Sequence, residues 1–418
     1  MNAGPTPSVR TSTSGRFSSK GKQASAGILA LLGILTAFDS MSIDMYLPAF
    51  SAIRENLQLA SGTMEMSLAV FLIGLAVGQA ISGPLADGLG RKKPLLAGVV
   101  LFGLASALVA VAPNGTLFLT GRFVQGLGGA AGLVIPRAIV SDIYDASQST
   151  KIFSLLVQIQ SVSPIIAPPL GGLLLAWGGW RSIFWILVAF SALTLIASAL
   201  SIPETRHETN AAPLSIKGVA KSYWTLFRNW RYLGNTVASG LIMGTLFGYI
   251  SASSFVFMTH FGLTPTAYSI VFAVNSIGMI LVGQLNFVLV KKVSARRHLA
   301  LGFFIHLFFV LALLAAVLLG WGNLEAVLVL LFLAMSSMSL IFGGITAAAI
   351  YSVPNEQAGT ASALLGVMQY AMGGLAGVVL GIIHNETLLP VAAVLFAFSL
   401  LATICWLVTD RRQEVGTF

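Results

Sequence analysis

Stretches of about 20 apolar residues recur along this chain with short polar breaks between them, and each is long enough to cross a hydrocarbon layer about 30 Å thick as a helix rising 1.5 Å per residue. Twelve such runs are read at 27–50, 63–84, 95–112, 116–139, 152–176, 182–202, 234–257, 267–290, 299–320, 325–351, 361–383 and 389–408. In lipid every backbone N–H and C=O must find its partner inside the protein, so runs of this length read as helices. The expected fold class is therefore an all-α membrane protein with twelve transmembrane helices. Composition agrees: 56% of the residues are hydrophobic and 9% charged, against about 25% charged in soluble domains. The 43 glycines suit close helix packing in a solvent that offers no hydrophobic drive between helices.

Charge placement orients the chain. Arg10, Arg16, Lys20 and Lys22 precede the first run, but its length and the lack of a small-residue cleavage site mark a retained span rather than a secretory leader. Residues 1–26 are Ser/Thr/Gly-rich without apolar period and read as a disordered tail. An even number of spans puts both ends on one side, and 23 Lys/Arg minus Arg54, Arg122 and Arg181 leaves 20 on that side. By the positive-inside rule it is the cytoplasm, so the net charge of +9 implies no nucleic acid as partner. "GRFSSKGK" lacks phosphate-loop spacing and gives no case for ATP. The single Cys405 excludes an internal disulfide and reads as a packing residue. His207, His260, His298, His306 and His384 are scattered, so no metal, cofactor or enzyme chemistry is expected.

Residues 203–233 form the longest polar interruption and divide the spans six and six, giving an N-terminal bundle 27–202, a linker 203–233, a C-terminal bundle 234–409 and a tail 410–418. An offset of 205 aligns Val77-Gly78-Gln79 with Val282-Gly283-Gln284, Arg91 with Arg296 and Lys92 with Arg297. Two related six-helix bundles around a cavity account for this, as in many secondary transporters. At the same offset Asp44 meets Tyr249, Arg122 meets Val327 and Asp87 meets Lys292, so ionisable chemistry gathers in the first half.

Asp39 and Asp44 stand inside the first run. A charge at the bilayer centre costs about 2.5–3.5 kcal/mol on the mildest scale, so such residues face a partner or water and are functional by default. Five residues apart on a helix they are separated by about 140° and cannot share a face. Asp44, near the outer end of span one, and Arg122, near the outer start of span four, are both about 10 Å deep at 1.5 Å per residue.

Several segments resemble a known family. "GPLADGLGRKK" at 83–93 looks like the loop between spans two and three of the major facilitator superfamily, and "GRFVQGLGGAAG" at 121–132 like its span-four Arg motif. "SPIIAPPLGG" at 163–172 is similar to the span-five motif of its drug:proton antiporters, while "SIDMYLPAF" at 42–50 and "AGTASALLG" at 358–366 resemble the Bcr/CflA group of bacterial multidrug exporters. The resemblance implies two pseudo-symmetric six-helix bundles, residence in the bacterial inner membrane, monomeric function, and proton-driven export of small, mostly neutral drugs. Proton-coupled export of amino acids, short peptides or other metabolites is the alternative.

The resemblance places helices one and four along the cavity, so Asp44 and Arg122 read either as a proton switch or as a fixed pair joining two helices. Asp39 is a second proton carrier or a protonated carboxyl bonded to a neighbouring helix. Gly83, Gly88 and Gly90 are expected to permit the reversal after span two, with Asp87 facing a helix N-terminus and Arg91 pairing with Asp142; by resemblance this cluster latches the outward-facing state. Pro164, Pro168, Pro169, Gly171 and Gly172 predict a kinked gating hinge in span five. Candidate substrate contacts are Ser40, Met41, Asp44, Gln125, Met243, Phe247 and Ser251, since flexible Met and flat aromatics suit promiscuous binding.

Overall fold

The computed structural model describes residues 26–144, 146–205, 216–289, 293–354 and 357–415. The expected N-terminal tail up to residue 25, linker residues 206–215 with His207, Lys291 and Lys292, and residues 416–418 lie outside the described residues. Among the described residues all regular structure is helical.

Span one is in three pieces, α1 (Ala26–Thr36), α2 (Phe38–Asp44) and α3 (Phe50–Asn56), the last two joined through a 3-10 turn at Leu47–Ala49. Pro48 sits in that turn and has no N–H for the carbonyl of Asp44, so the regular helix stops at the carboxylate. Spans two to four are α4 (Thr63–Leu89), α5 (Lys92–Ala110) and α6 (Gly115–Ile143). Spans five and six form one long element, α7 (Ala146–Ser201), divided at Gly179 where φ is 68° and ψ 179°. A linker helix α8 (Ile216–Arg228) leads to α9 (Trp230–Ser254), whose far end continues as a π-helical turn at Phe255–His260. Spans eight to twelve are α10 (Pro265–Leu289), α11 (Ala295–Leu318), α12 (Leu324–Ile350), α13 (Ala358–Ile383) and α14 (Leu389–Val415). The side where α1 begins and α14 ends is called the tail side, and the opposite one the far side.

Asparagine side chains start several spans: Asn114 Oδ1 accepts from Leu117 N at 2.9 Å and Asn323 Oδ1 from Ala326 N at 3.0 Å. Within the first half, Gly126 on α6 lets the Phe71 carbonyl of α4 approach, and Gly128 does the same for the backbone of α5 at Gly98 and Phe102. The glycine string of span four is thus its contact surface with two neighbours. The same span pairing recurs in the second half, where Gly283 of α10 lies against Ser339 of α12. The halves meet chiefly where α4 packs along α13 and α7 against α10. Residues such as Leu104, Leu193 and Phe308 remain outside on an apolar perimeter suited to lipid.

Candidate functional site

Arg122 is fully buried and held from several sides. Its Nη1 donates to Gln125 Oε1, whose Nε2 donates to Ser106 Oγ at 2.7 Å. Nη2 donates to the Ser42 carbonyl at 3.1 Å, and the guanidinium stacks 4.2 Å from the Tyr46 ring centre and 4.3 Å from that of Phe71. These are backbone and aromatic partners from the broken part of span one and from span two, a cage that suits a weakly hydrated planar cation. Arg122 is therefore level with Asp44 yet not paired with it: among the described residues no ion pair joins them. The expectation of a fixed Asp44–Arg122 pair is corrected accordingly. Chain spacing gives depth, but the break between Asp44 and Leu47 sets which way each group turns.

Asp44 is 3% exposed, and its carboxylate makes no hydrogen bond among the described residues. Its electrostatic neighbours are Asp39 on the same helix and Tyr249 and Tyr268 from the second half. Tyr249 is the residue 205 positions on; its hydroxyl accepts from Asn275 Nδ2 at 2.6 Å, and Tyr268 shares a hydrogen bond with Ser253 at 2.9 Å. Asp39, about 140° away on α2, instead faces span eleven, where Tyr370 Oη donates to its Oδ2 at 2.8 Å. Its Oδ1 is buried without a hydrogen-bond partner among the described residues, and Arg137 of span four lies within electrostatic reach.

The remaining expected contacts are distributed differently. Gln125 is spent on Arg122 and Ser106 and is itself fully buried. Phe247 packs on Tyr370 at 5.7 Å between ring centroids and against Gly373, and Ser251 lies beside Gly377, so both face span eleven of their own half. Ser40, Met41 and Met243 are half-buried.

On the tail side the structure brings Arg91, Asp87 and Asp142 together. Arg91 Nε donates to Asp142 Oδ2 at 2.8 Å and Nη1 to Asp87 Oδ1. Burial opposes the charge on Arg91, but the bonds to Asp142 and Asp87 outweigh it and hold the guanidinium above its ordinary value. Two details correct the expected loop. Gly83 and Gly88 lie within α4, and the reversal falls at Gly90, with φ 90°. The helix N-terminus of α5 is met by Glu204 rather than Asp87: Glu204 Oε1 accepts from Arg91 N at 2.7 Å and Oε2 from Lys92 N at 3.2 Å. Sequence reasoning left Glu204 in the linker; its place two residues after the apolar run of span six was the available signal.

The span-five prolines do not break the helix, whose non-helical backbone falls at Gly179 instead. Gly171 meets the Met45 carbonyl at the break in span one, while Gly172 faces Ser269 of span eight across the halves. The expected hinge is thus a seam with two neighbours, one in each half.

Twelve spans in two facing bundles, with buried ionisable groups at their interface, define a membrane transporter. The sequence profile of the Major Facilitator Superfamily matches residues 32–378, and the chain belongs to that family. It is 32% identical over 382 residues to the "Uncharacterized MFS-type transporter YdgK" of Bacillus subtilis, covering 90% of this chain and 93% of that one. It is 30% identical over 386 residues to the "Bicyclomycin resistance protein homolog" of Haemophilus influenzae (91% and 96% covered), and 27% over 374 residues to "Multidrug resistance protein MdtL" of Shewanella oneidensis (89% and 93%). In fold it is similar to the crystal structure of a D-xylose-proton symporter, with a TM-score of 0.71 at 15% identity over 90% of this chain and 95% of that one. The protein is a multi-pass membrane transporter of the major facilitator fold, and not an enzyme.

Proposed function

We propose that this transporter exports small, mostly neutral drugs from the bacterial cytoplasm in exchange for protons, by alternating access of one site between the two halves. The single observation that carries the reading is Asp44: a buried carboxyl at the interface of the halves, without a hydrogen bond among the described residues and within electrostatic reach of tyrosines of the opposite bundle. A bare carboxylate in such surroundings is costly, so it holds a proton while enclosed and releases it when water or a drug reaches it. Proton and drug then compete for one place. The names of the Haemophilus and Shewanella relatives support a drug as cargo. The basic residues of the tail side support a cytoplasmic location for it. Arg122, caged rather than paired, fixes the broken segment that carries Asp44. Arg91, Asp87, Asp142 and Gly90 latch the tail side, and the protein acts as a monomer.

The test is a resistance and efflux panel in cells lacking other pumps, comparing wild type with Asp44→Asn, each with and without an uncoupler. Wild type should export at least one neutral drug uphill and lose this with uncoupler, while the variant should already sit at the uncoupled level. Undiminished uphill export by Asp44→Asn refutes the proton role; a wild type that moves amino acids or peptides but no drug refutes the cargo.

A further inference from the structure

Two ionisable side chains that play no part in the export scheme meet across the halves on the far side. Glu65 lies in the first turn of α4, in the first half, and His384 directly follows α13, in the second. His384 Nδ1 and Glu65 Oε1 are 3.3 Å apart, with side chains only 8% and 5% exposed. Beside them the backbones of Gly62 and Gly381 touch, so the ends of spans two and eleven are in direct contact. Phe255, at the far end of span seven, closes edge-on over the imidazole with ring centroids 4.6 Å apart. Any movement that opens the far side between α4 and α13 must pull this pair apart.

We propose that Glu65 and His384 are positioning residues of the transport cycle, forming an ion-pair latch that holds the far-side entrance shut and breaks each time the site opens to that side. The inference rests on the alternating-access part of the proposed function, and on neither the drug nor the proton at Asp44.

The surroundings give the latch a pH dependence. His384 is faced by Glu65 from α4, by Arg54 from α3 and by Glu386 from its own loop, while the His260 ring lies 6.2 Å from that of Phe255 between centroids. The hydrogen bond to Glu65 holds His384 above the ordinary histidine range; burial opposes this, and Glu386 adds to it while Arg54 subtracts. A surface recess lined by Phe50, Ser51, Arg54, Glu65, Thr259 and His384 connects the pair with the far-side solution. Separation returns the imidazole towards its ordinary value of about 6.5. The closed arrangement therefore binds the proton more tightly. Its extra stability is complete below the open-state pKa and is lost as pH rises through the raised closed-state pKa.

The experiment measures the width of the far-side entrance in the full-length protein in lipid nanodiscs. Spin labels are attached at Ser61→Cys and Thr266→Cys, one in each half and both exposed, with the native thiol removed by Cys405→Ser. No drug and no gradient are needed, so this measurement and the Asp44→Asn export assay fail independently. Between about pH 5.5 and about pH 8.5 the long-distance population should rise about three- to tenfold. His384→Gln and Glu65→Gln should both be more open at low pH and lose most of the pH response, becoming flat when Asp44→Asn is added to remove the proton at that site, while His384→Arg, which keeps the charge, should stay closed under the same conditions. A wild-type distribution that ignores pH overturns the latch, as does a His384→Gln protein that keeps the wild-type response.

Discussion

Arg91 and Arg296 occupy corresponding positions in the two halves, each at the tail-side start of a span, yet their surroundings differ. Arg91 is 14% exposed and bonds to two aspartates while Glu204 holds the backbone beside it. Arg296 is 53% exposed, and its Nε meets Asp410 at 2.7 Å. The contrast repeats deeper in the membrane. Asp44 answers to Tyr249, and Arg122 to Val327, buried apolar packing at the place of a caged cation. One helical scaffold, used twice, has kept its packing in both copies and its buried charge in one. The second half contributes hydroxyls: Tyr249 and Tyr268 near Asp44, and Tyr370 on Asp39. An acid opposite an alcohol gains and loses a proton without leaving a second charge stranded in lipid, which an acid opposite a base would do.

The largest expected effect comes from exchanging chemistry at the paired positions. Asp44→Asn should abolish uphill export in everted vesicles, whereas Tyr249→Phe, which removes one hydroxyl from the mate, should keep at least about half of it. A reversed order would show that the working group lies in the second half. Next comes packing. Gly171→Ala drives a methyl onto the Met45 carbonyl and should cut both folded yield and transport by about tenfold. Its mate is already alanine, and Ala376→Gly should cost only about 0.5–1 kcal/mol of thermal stability. On the tail side, Arg91→Ala removes a part-buried charged hydrogen bond to Asp142 of about 1.5–3 kcal/mol and an exposed one to Asp87 of about 0.3–0.5 kcal/mol, and should slow turnover several-fold with little change in apparent drug affinity. Arg296→Ala loses an exposed pair of about 0–1 kcal/mol and should be near wild type. Asp87→Ala belongs with Arg91; an effect confined to which drugs bind would remove it from the latch. Among the substitutions at the buried acids a small effect is expected of Tyr370→Phe, whose lost bond to Asp39 is about 0.5–1.5 kcal/mol and should shift tail-side accessibility to a thiol reagent by less than about tenfold.

The spans were legible because apolar length alone dictates them in lipid. Even so, the break near Gly179 splits an otherwise uninterrupted helix, and span one runs on to Asn56 beyond its proline turn. Arg91 and Asp142 were readable as neighbours since both end their spans at one membrane level. Direction was not. Helical spacing gives angle only while the helix is regular, and in span one it fails between Asp44 and Leu47, so Arg122 could be placed at the right depth but not on Ser42 and Tyr46. Glu65 and His384 were missed for another reason. They sit at the ends of spans two and eleven, which touch only once the two bundles are docked, and no repeat or local motif connects them.

Along span eleven, Gly374, Gly377 and Gly381 lie against Ile73, Ala69 and Gly62 at span two, and only the last contact is backbone on backbone. Interlocked side chains would act as gear teeth, each needing to disengage before one bundle moved past the other. On this track one of the two faces is smooth, since the glycines of span eleven present no side chain to Ile73, Ala69 and Met66 of span two. Speed of reorientation is thereby decoupled from the strength with which the pathway closes, which is left to small polar clasps at its ends. A single added methyl at Gly377 would press on Ala69 and Ser251 and work as a brake, slowing the cycle.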